Sequence, residues 1–342
     1  MIGSDSAVSV FYDEDAGRLG YRSVSFFDAE LSSMSEERDV RAILVKPNLC
    51  IGIGYEVGVV VHPDFVEGAV NRLRGHFPDA RMIVGESHSR QVFERTGFVP
   101  LEEKGVELLD LERDSFVYRF DGKEIREISL PSILDSVDLI LNVGKLKVHR
   151  LAITSICVKN LMGFLSKGSE RGRMHELTHE MLGKLDRAFN EEEFKACEMQ
   201  LARRLVDLYF GFTSLLKERD IPMLNCADGY IVSEGDGFNL STPRAYYGGL
   251  AALNAWNLDH VGSRLMGHDP ESIAYLKEGE KAEYYLSSKI QIRGTPRITP
   301  TPVITFKDRY FKEIRDAFKR WETLRRERQK DCSSGRFLSS RM

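Results

Sequence analysis

The chain has 342 residues, a net charge of −4, and is 42% hydrophobic and 29% charged. That balance supports a large folded core. It gives nucleic-acid binding no overall electrostatic support and includes no apolar run long enough to span a bilayer. The start, Met-Ile-Gly-Ser-Asp-Ser, lacks the basic opening and apolar centre of a signal peptide, so a cytoplasmic protein is expected.

In chain order, Ala42 to Lys46 reads as a strand. Asp64 to Leu73 reads as a helix opened by His62-Pro63, with proline at a first-turn position. Arg81 to Gly85 and Val106 to Leu111 read as further strands, and so do Leu139 to Val143 and Met223 to Ala227. Strands alternating with helices predict an α/β fold: a mostly parallel sheet with helices on both faces. From Gly172 to Asp220 the composition turns to Glu, Lys, Arg, Leu and Met without proline, which predicts a helical insertion of two or three helices. Gly294 to Pro302, with three prolines, reads as a linker. Asp308 to Lys330 reads as a charged helix with Phe311, Ile314, Phe318 and Trp321 on one stripe, suited to packing on the body, a homodimer or a partner subunit. The Ser/Arg-rich end beyond it is expected to be disordered. The expected division is an α/β core from 1–170 and 221–300, a helical cap from 171–220, and a C-terminal helix and tail from 301–342.

In open α/β sheets ligands bind beyond the carboxyl ends of the strands, so the strand ends are read together. The first ends in Lys46-Pro-Asn48, the second in Glu86-Ser87-His88, a later one in Val143-Gly-Lys-Leu-Lys-Val-His149, and another in Asp228-Gly229 with Glu234-Gly-Asp-Gly237 close behind. If the Lys145-x-Lys147-x-His149 segment is an extended loop, its three side chains share a face. They would repel one another unless an anion sat among them. A solvated basic loop is the plainer alternative. The candidate catalytic set is Lys145, Lys147, His149, Glu86 and Asp228. The candidate binding set is Lys46, Asn48, His62, Ser87, Thr154, Lys159, Asn160, Arg173 and His175. A lysine crowded by cations has a lowered pKa, which suits proton abstraction or nucleophilic attack. His62 is read equally well as a side chain capping its own helix.

His175-Glu-Leu-Thr-His179 matches HExxH, in which two histidines one helical turn apart hold zinc and the glutamate activates water. Glu198 lies nineteen residues past His179. Charged neighbours at Arg171, Arg173 and Glu180 disfavour this metal reading, and a solvated helix carrying two histidines fits the same residues. Cys50, Cys157, Cys197, Cys226 and Cys332 are odd in number and never in a CxxC pair, which argues against a disulfide framework or a local iron–sulfur site. No dinucleotide or P-loop glycine motif is present, so the cofactor is left open.

These segments, together with Thr96-Gly-Phe98, Thr154 through Lys159-Asn-Leu-Met-Gly163, Asp259 and Leu265-Met-Gly267, resemble the domain of unknown function 362 family over roughly residues 40 to 280. The resemblance implies an α/β fold and a site built from strand-end loops. Many members carry a ferredoxin-like module with clustered cysteines, which this chain lacks. Similar members also place Arg and His after the Lys-Asn-x-x-Gly segment, here Arg171, Arg173 and His175, which accounts for half of the HExxH pattern. The leading expectation is an enzyme, lyase-like or hydrolase-like, acting on a small anionic metabolite that bears phosphate, sulfate or carboxylate, by acid–base elimination or group transfer. The alternatives are an oxidoreductase working with an iron–sulfur or metal centre, a non-catalytic subunit of a complex, and an HExxH zinc hydrolase.

Overall fold

The computed structural model describes residues 6–50, 52–87, 89–182, 191–235 and 241–303. The expected C-terminal helix and tail, and parts of two motifs (His88 and Asp236-Gly237), lie outside these residues.

β1 (Ala7–Tyr12) leads into α1 (Ala16–Ser25), where Asp15 caps the helix by accepting from the Arg18 amide, and then into α2 (Asp28–Glu37). β2 (Ala42–Pro47) is followed by α3 (Pro63–His76), β3 (Arg81–Glu86), α4 (Arg90–Thr96) and β4 (Val106–Asp110). β5 (Ser115–Arg119) and β6 (Glu127–Pro131) form a separate antiparallel pair. β7 (Leu139–His149), β8 (Ile153–Ser155), the one-turn α5 (Cys157–Asn160) and α6 (Gly168–Arg173) come next. The helical stretch continues with α7 (Glu176–Leu182) and α8 (Glu191–Glu218). β9 (Met223–Gly235), β10 (Ser241–Ala252), α9 (Ala255–Leu265), α10 (Ala274–Lys281) and β11 (Gln291–Arg293) complete the described chain.

One 9-stranded sheet runs in the order β11-β1-β10-β9-β7-β2-β3-β4, with β8 added on β7. Its β9-β7-β2-β3-β4 portion is parallel, while β10 runs antiparallel to both β9 and β1. Alternation along the strands builds two cores. Ile43, Val45, Met82, Val84, Leu139 and Leu141 pack with Leu19, Phe65 and Leu73 of α1 and α3. Leu44, Ile83 and Ile140 point the other way, toward Leu205, Leu208 and Phe212 of α8 and Leu258 and Val261 of α9. Both faces of the sheet are thus helix-covered, which explains the near-continuous apolar runs of the central strands. The 294–302 segment has no regular structure, yet it is tied back by Thr299 N–H to Leu265 O and Thr301 N–H to Met266 O.

Two expectations are corrected. The Lys145–His149 segment is the second half of β7, not a loop. It pairs with β9 at Lys145↔Asp228 and Lys147↔Ser233 and with β8 at Lys147↔Ser155. The sequence reading also passed over β10, because its Pro243 and its Gly248-Gly249 pair look like turn residues although they sit within a strand.

Candidate functional site

The parallel strands β2, β3 and β7 place their carboxyl ends side by side, so residues far apart in the chain meet there. Lys46, the penultimate residue of β2, is fully buried. It donates to Glu86 Oε2 at 2.8 Å and to Pro47 O at 2.8 Å. Glu86 ends β3 and is engaged on both oxygens, since the Leu49 amide also reaches Oε2 and the Ser87 amide reaches Oε1. Burial pulls the Lys46 ammonium down, and the Glu86 charge opposes that pull.

Lys147 points from β7 into the Asn48 loop and donates to Asn48 Oδ1 at 2.8 Å, Val59 O at 2.9 Å and Cys50 Sγ at 3.0 Å. An ammonium has three N–H groups, so Lys147 is saturated by the protein itself. Lys145 is paired with a carboxylate: its Nζ lies 2.6 Å from Asp228 Oδ2, and both side chains are buried. Asp228 also accepts from the His62 and Tyr230 amides. The expected mutual repulsion along Lys-x-Lys-x-His is therefore relieved by protein groups, without an anion. His149 accepts the Leu151 and Ala152 amides on Nδ1, so its neutral ring carries the proton on Nε2. Burial, aided by the charge of Lys159, holds His149 well below the usual imidazole range.

From Asn48 a line of amides crosses the sheet. Asn48 Nδ2 donates to Asn160 Oδ1, Asn160 Nδ2 to Asn142 Oδ1, Asn142 Nδ2 to Asn225 Oδ1, and Asn225 Nδ2 to Leu253 O. All four side chains are buried, and each is satisfied by the next.

A cavity of about 370 Å³ opens above these groups. Five basic side chains line it (Lys46, Lys147, Arg150, Lys159 and Arg171) against one carboxylate, Glu86. Asn48, Cys50, His149, Ser155, Asn160, His175, Thr178 and His179 complete the polar lining. His149 and His175 stack with ring centroids 5.8 Å apart. Lys159 stands on α5, which is fixed in place because Asp259 accepts the Cys157 and Val158 amides. Among the described residues the Lys159 amine has no hydrogen-bond or salt-bridge partner. Burial and the nearby Lys147 charge pull it down to about 8. Gly163 roofs the Lys46–Glu86 pair so closely that an added Cβ would lie 2.4 Å from Lys46 Nζ.

The structure thus divides the sequence candidates. Lys46, Asn48, Glu86, Lys147, His149, Lys159, Asn160 and His175 gather around the cavity. Lys145 and Asp228 form a buried pair that does not line it. His62 caps α3, its Nδ1 accepting the Asp64 amide, and lies between the Tyr55 and Tyr230 rings. The Ser87 hydroxyl donates to Gly163 O. Thr154 turns to Ser263 Oγ at 2.8 Å and Tyr275, behind the strand. Arg173 is exposed, and its carbonyl receives Arg204. It is Arg171 that reaches the cavity, tied to Leu165 O and Glu112.

In the HExxH segment, His175 and His179 both face the cavity, but Glu176 pairs with Arg204 at 2.8 Å. Among the described residues no group of three His, Cys, Asp or Glu side chains is placed to hold a metal ion. The sequence reading passed over Cys50, Arg150 and Arg171 as site residues. Cys50 had a usable signal, because it lies two residues past Asn48 on a strand-end loop.

A thylakoid-associated protein of Synechocystis is 24% identical over 246 residues, spanning 70% of this chain and 67% of that protein. A solved structure, the lactate racemase apoprotein of Thermoanaerobacterium thermosaccharolyticum, superimposes with a TM-score of 0.41 at 7% identity. That overlap takes in 77% of this chain and 57% of the racemase chain, so the chain spans little more than half the length of that structure. No helix among the described residues is long and apolar enough to cross a membrane. The family model described as Domain of unknown function (DUF362) matches residues 43–264, which runs from β2 through the cavity to α9 and covers well over half of the sequence. The chain belongs to the DUF362 family.

Proposed function

We propose that the cavity binds a small anionic metabolite, one bearing carboxylate, phosphate or sulfate, and that the protein is an enzyme acting on it by acid–base elimination or group transfer. The observation that carries this reading is the unbalanced charge of the lining. Glu86 is already matched by Lys46, Lys147 is held by neutral acceptors, and Lys159 has no partner among the described residues. A half-enclosed space with such an excess attracts an anion and strengthens every hydrogen bond to it. His149, with Nε2–H exposed to the cavity, is a donor to the bound anion. His175 is held neutral by burial and by Lys159, which makes it a weak base. Lys159 supplies the reactive amine, because it is deprotonated more easily than an ordinary lysine.

Isothermal titration with oxalate, phosphate and sulfate tests the reading. At least one is expected to bind. Lys159→Ala should weaken that anion by about tenfold or more, since hydrogen bonds to charged groups contribute about 1.5–3 kcal/mol. If none of the three binds to a correctly folded protein, even at low ionic strength, the reading is wrong.

A further inference from the structure

We propose that Lys159 is a nucleophile that captures a carbonyl-bearing anion of the 2-oxo acid class as an imine. This inference rests on the anion-binding reading and names the substrate class it implies.

The other two cavity lysines are held by the protein: Lys46 by Glu86 and Pro47 O, Lys147 by Asn48, Val59 and Cys50. Among the described residues Lys159 has neither a carboxylate nor a carbonyl to hold its proton. The one carboxylate of the lining, Glu86, is fully engaged by Lys46 and two backbone amides. A lysine kept only to attract charge gains from being protonated and paired. A lysine kept half-buried, unpaired and among cations is suited to attack. Its backbone is fixed by the Asp259 cap on α5, so the amine approaches from a defined direction. The groups whose charge acts on it are Lys147, Cys50 and Arg150, and its own charge acts in turn on His149 and His175. The cations Lys147 and Arg150 favour its neutral form. Arg150, a cavity-lining guanidinium with five N–H donors, would receive the carboxylate of a 2-oxo acid, leaving the adjacent carbonyl for Lys159.

The step balances as follows. The neutral amine attacks the carbonyl carbon, a C–N bond forms, and the carbonyl π pair moves to oxygen. That oxygen takes up a proton while the nitrogen releases one, giving a carbinolamine. The hydroxyl takes a second proton and leaves as water, and the nitrogen lone pair forms the C=N⁺ bond. Amine, carbonyl and one proton thus give iminium and water. The iminium then withdraws electrons from the neighbouring carbon, which lowers the barrier for proton loss or group departure there. His149 Nε2–H is the donor to the oxygen as charge develops on it.

The full-length protein is incubated with glyoxylate, pyruvate or 2-oxoglutarate and sodium cyanoborohydride, near the pH at which its amine is half-protonated. Adducts are mapped by peptide mass spectrometry. The expected result is one reduced adduct on the peptide carrying Lys159 with at least one of the three. Lys159→Arg, which keeps the charge but loses the nucleophile, should give no adduct there while its circular dichroism spectrum and melting temperature show the folded protein. If none of the three acids labels Lys159 although oxalate binds, the imine is refuted and the anion reading stands. Adducts spread over surface lysines and unchanged in Lys159→Arg also refute it. If the folded wild type binds no oxalate, the underlying reading has failed as well.

Discussion

Asp259 is fully buried and has no salt-bridge partner among the described residues; it accepts from the Cys157 and Val158 amides and from the Tyr275 hydroxyl. Burial pushes its carboxyl up to about 7 from an ordinary value near 3.8. A carboxyl whose folded pKa is raised binds more protons folded than unfolded throughout that window, so this residue's contribution to stability falls as pH rises toward 7. Thermal melts at pH 5 and pH 8 should therefore show a smaller loss of stability with pH in Asp259→Asn than in the wild type. An equal loss in both would contradict the assignment. Lys145 sits at the same scale. Lys145→Ala leaves Asp228 buried without its cation, a change that typically costs about 3–5 kcal/mol. The expected outcome is a large drop in the denaturation midpoint, with oxalate affinity little changed in whatever protein remains folded.

Between elements, the tightest crossing is that of α1 with α3. A Cβ on Gly20 would lie 1.9 Å from Phe65 O, and one on Gly68 would lie 1.8 Å from Gly17 O. Gly68→Ala must force the helices apart, and overpacking of this kind typically costs about 1–3 kcal/mol. Urea denaturation should show the loss, and an unshifted midpoint would mean that the crossing is looser than described. The elements also show how much could be read from the residues alone. The strands of the parallel core announced themselves through runs such as Ala42-Ile-Leu-Val and Leu139-Ile-Leu-Asn-Val, because strands buried on both faces are apolar throughout. The strand-end logic located Lys46, Glu86, Lys147 and Lys159. What the residues did not disclose is which acceptors each lysine meets. Asn48 and Val59 reach Lys147 from 99 and 88 positions away, and Asp228 reaches Lys145 from 83. Pairing at such separations depends on strand order, and strand order leaves no local trace.

For the molecule as a whole, α8 belongs to the common core. Leu205, Leu208 and Phe212 lie in the same apolar cluster as Leu44, Ile83 and Ile140 of the sheet, and the Tyr209 ring meets Trp256 of α9 at 5.4 Å. α8 should therefore unfold with the sheet, not before it. Phe212→Ala, a large-to-small change in this core, should cost about 3–5 kcal/mol. It should also move far-UV dichroism and intrinsic fluorescence together in one transition. Two separated transitions would mark 171–220 as an independent unit.

The amide line from Asn48 to Leu253 has a consequence for inheritance. Lys147 can only donate, so it orients the first amide, which orients the second, and so on until the chain ends on a carbonyl that can only accept. Every member reads the one before it, like words in a sentence with a single grammatical order. A lone Asn→Asp change anywhere along it replaces a donor by a second acceptor and leaves two oxygens facing each other. A lone change to an apolar residue strands a neighbour on either side. Substitutions at Asn48, Asn160, Asn142 and Asn225 should thus be strongly non-additive in double-mutant cycles. A lineage that abandons this arrangement must exchange several of its members in concert.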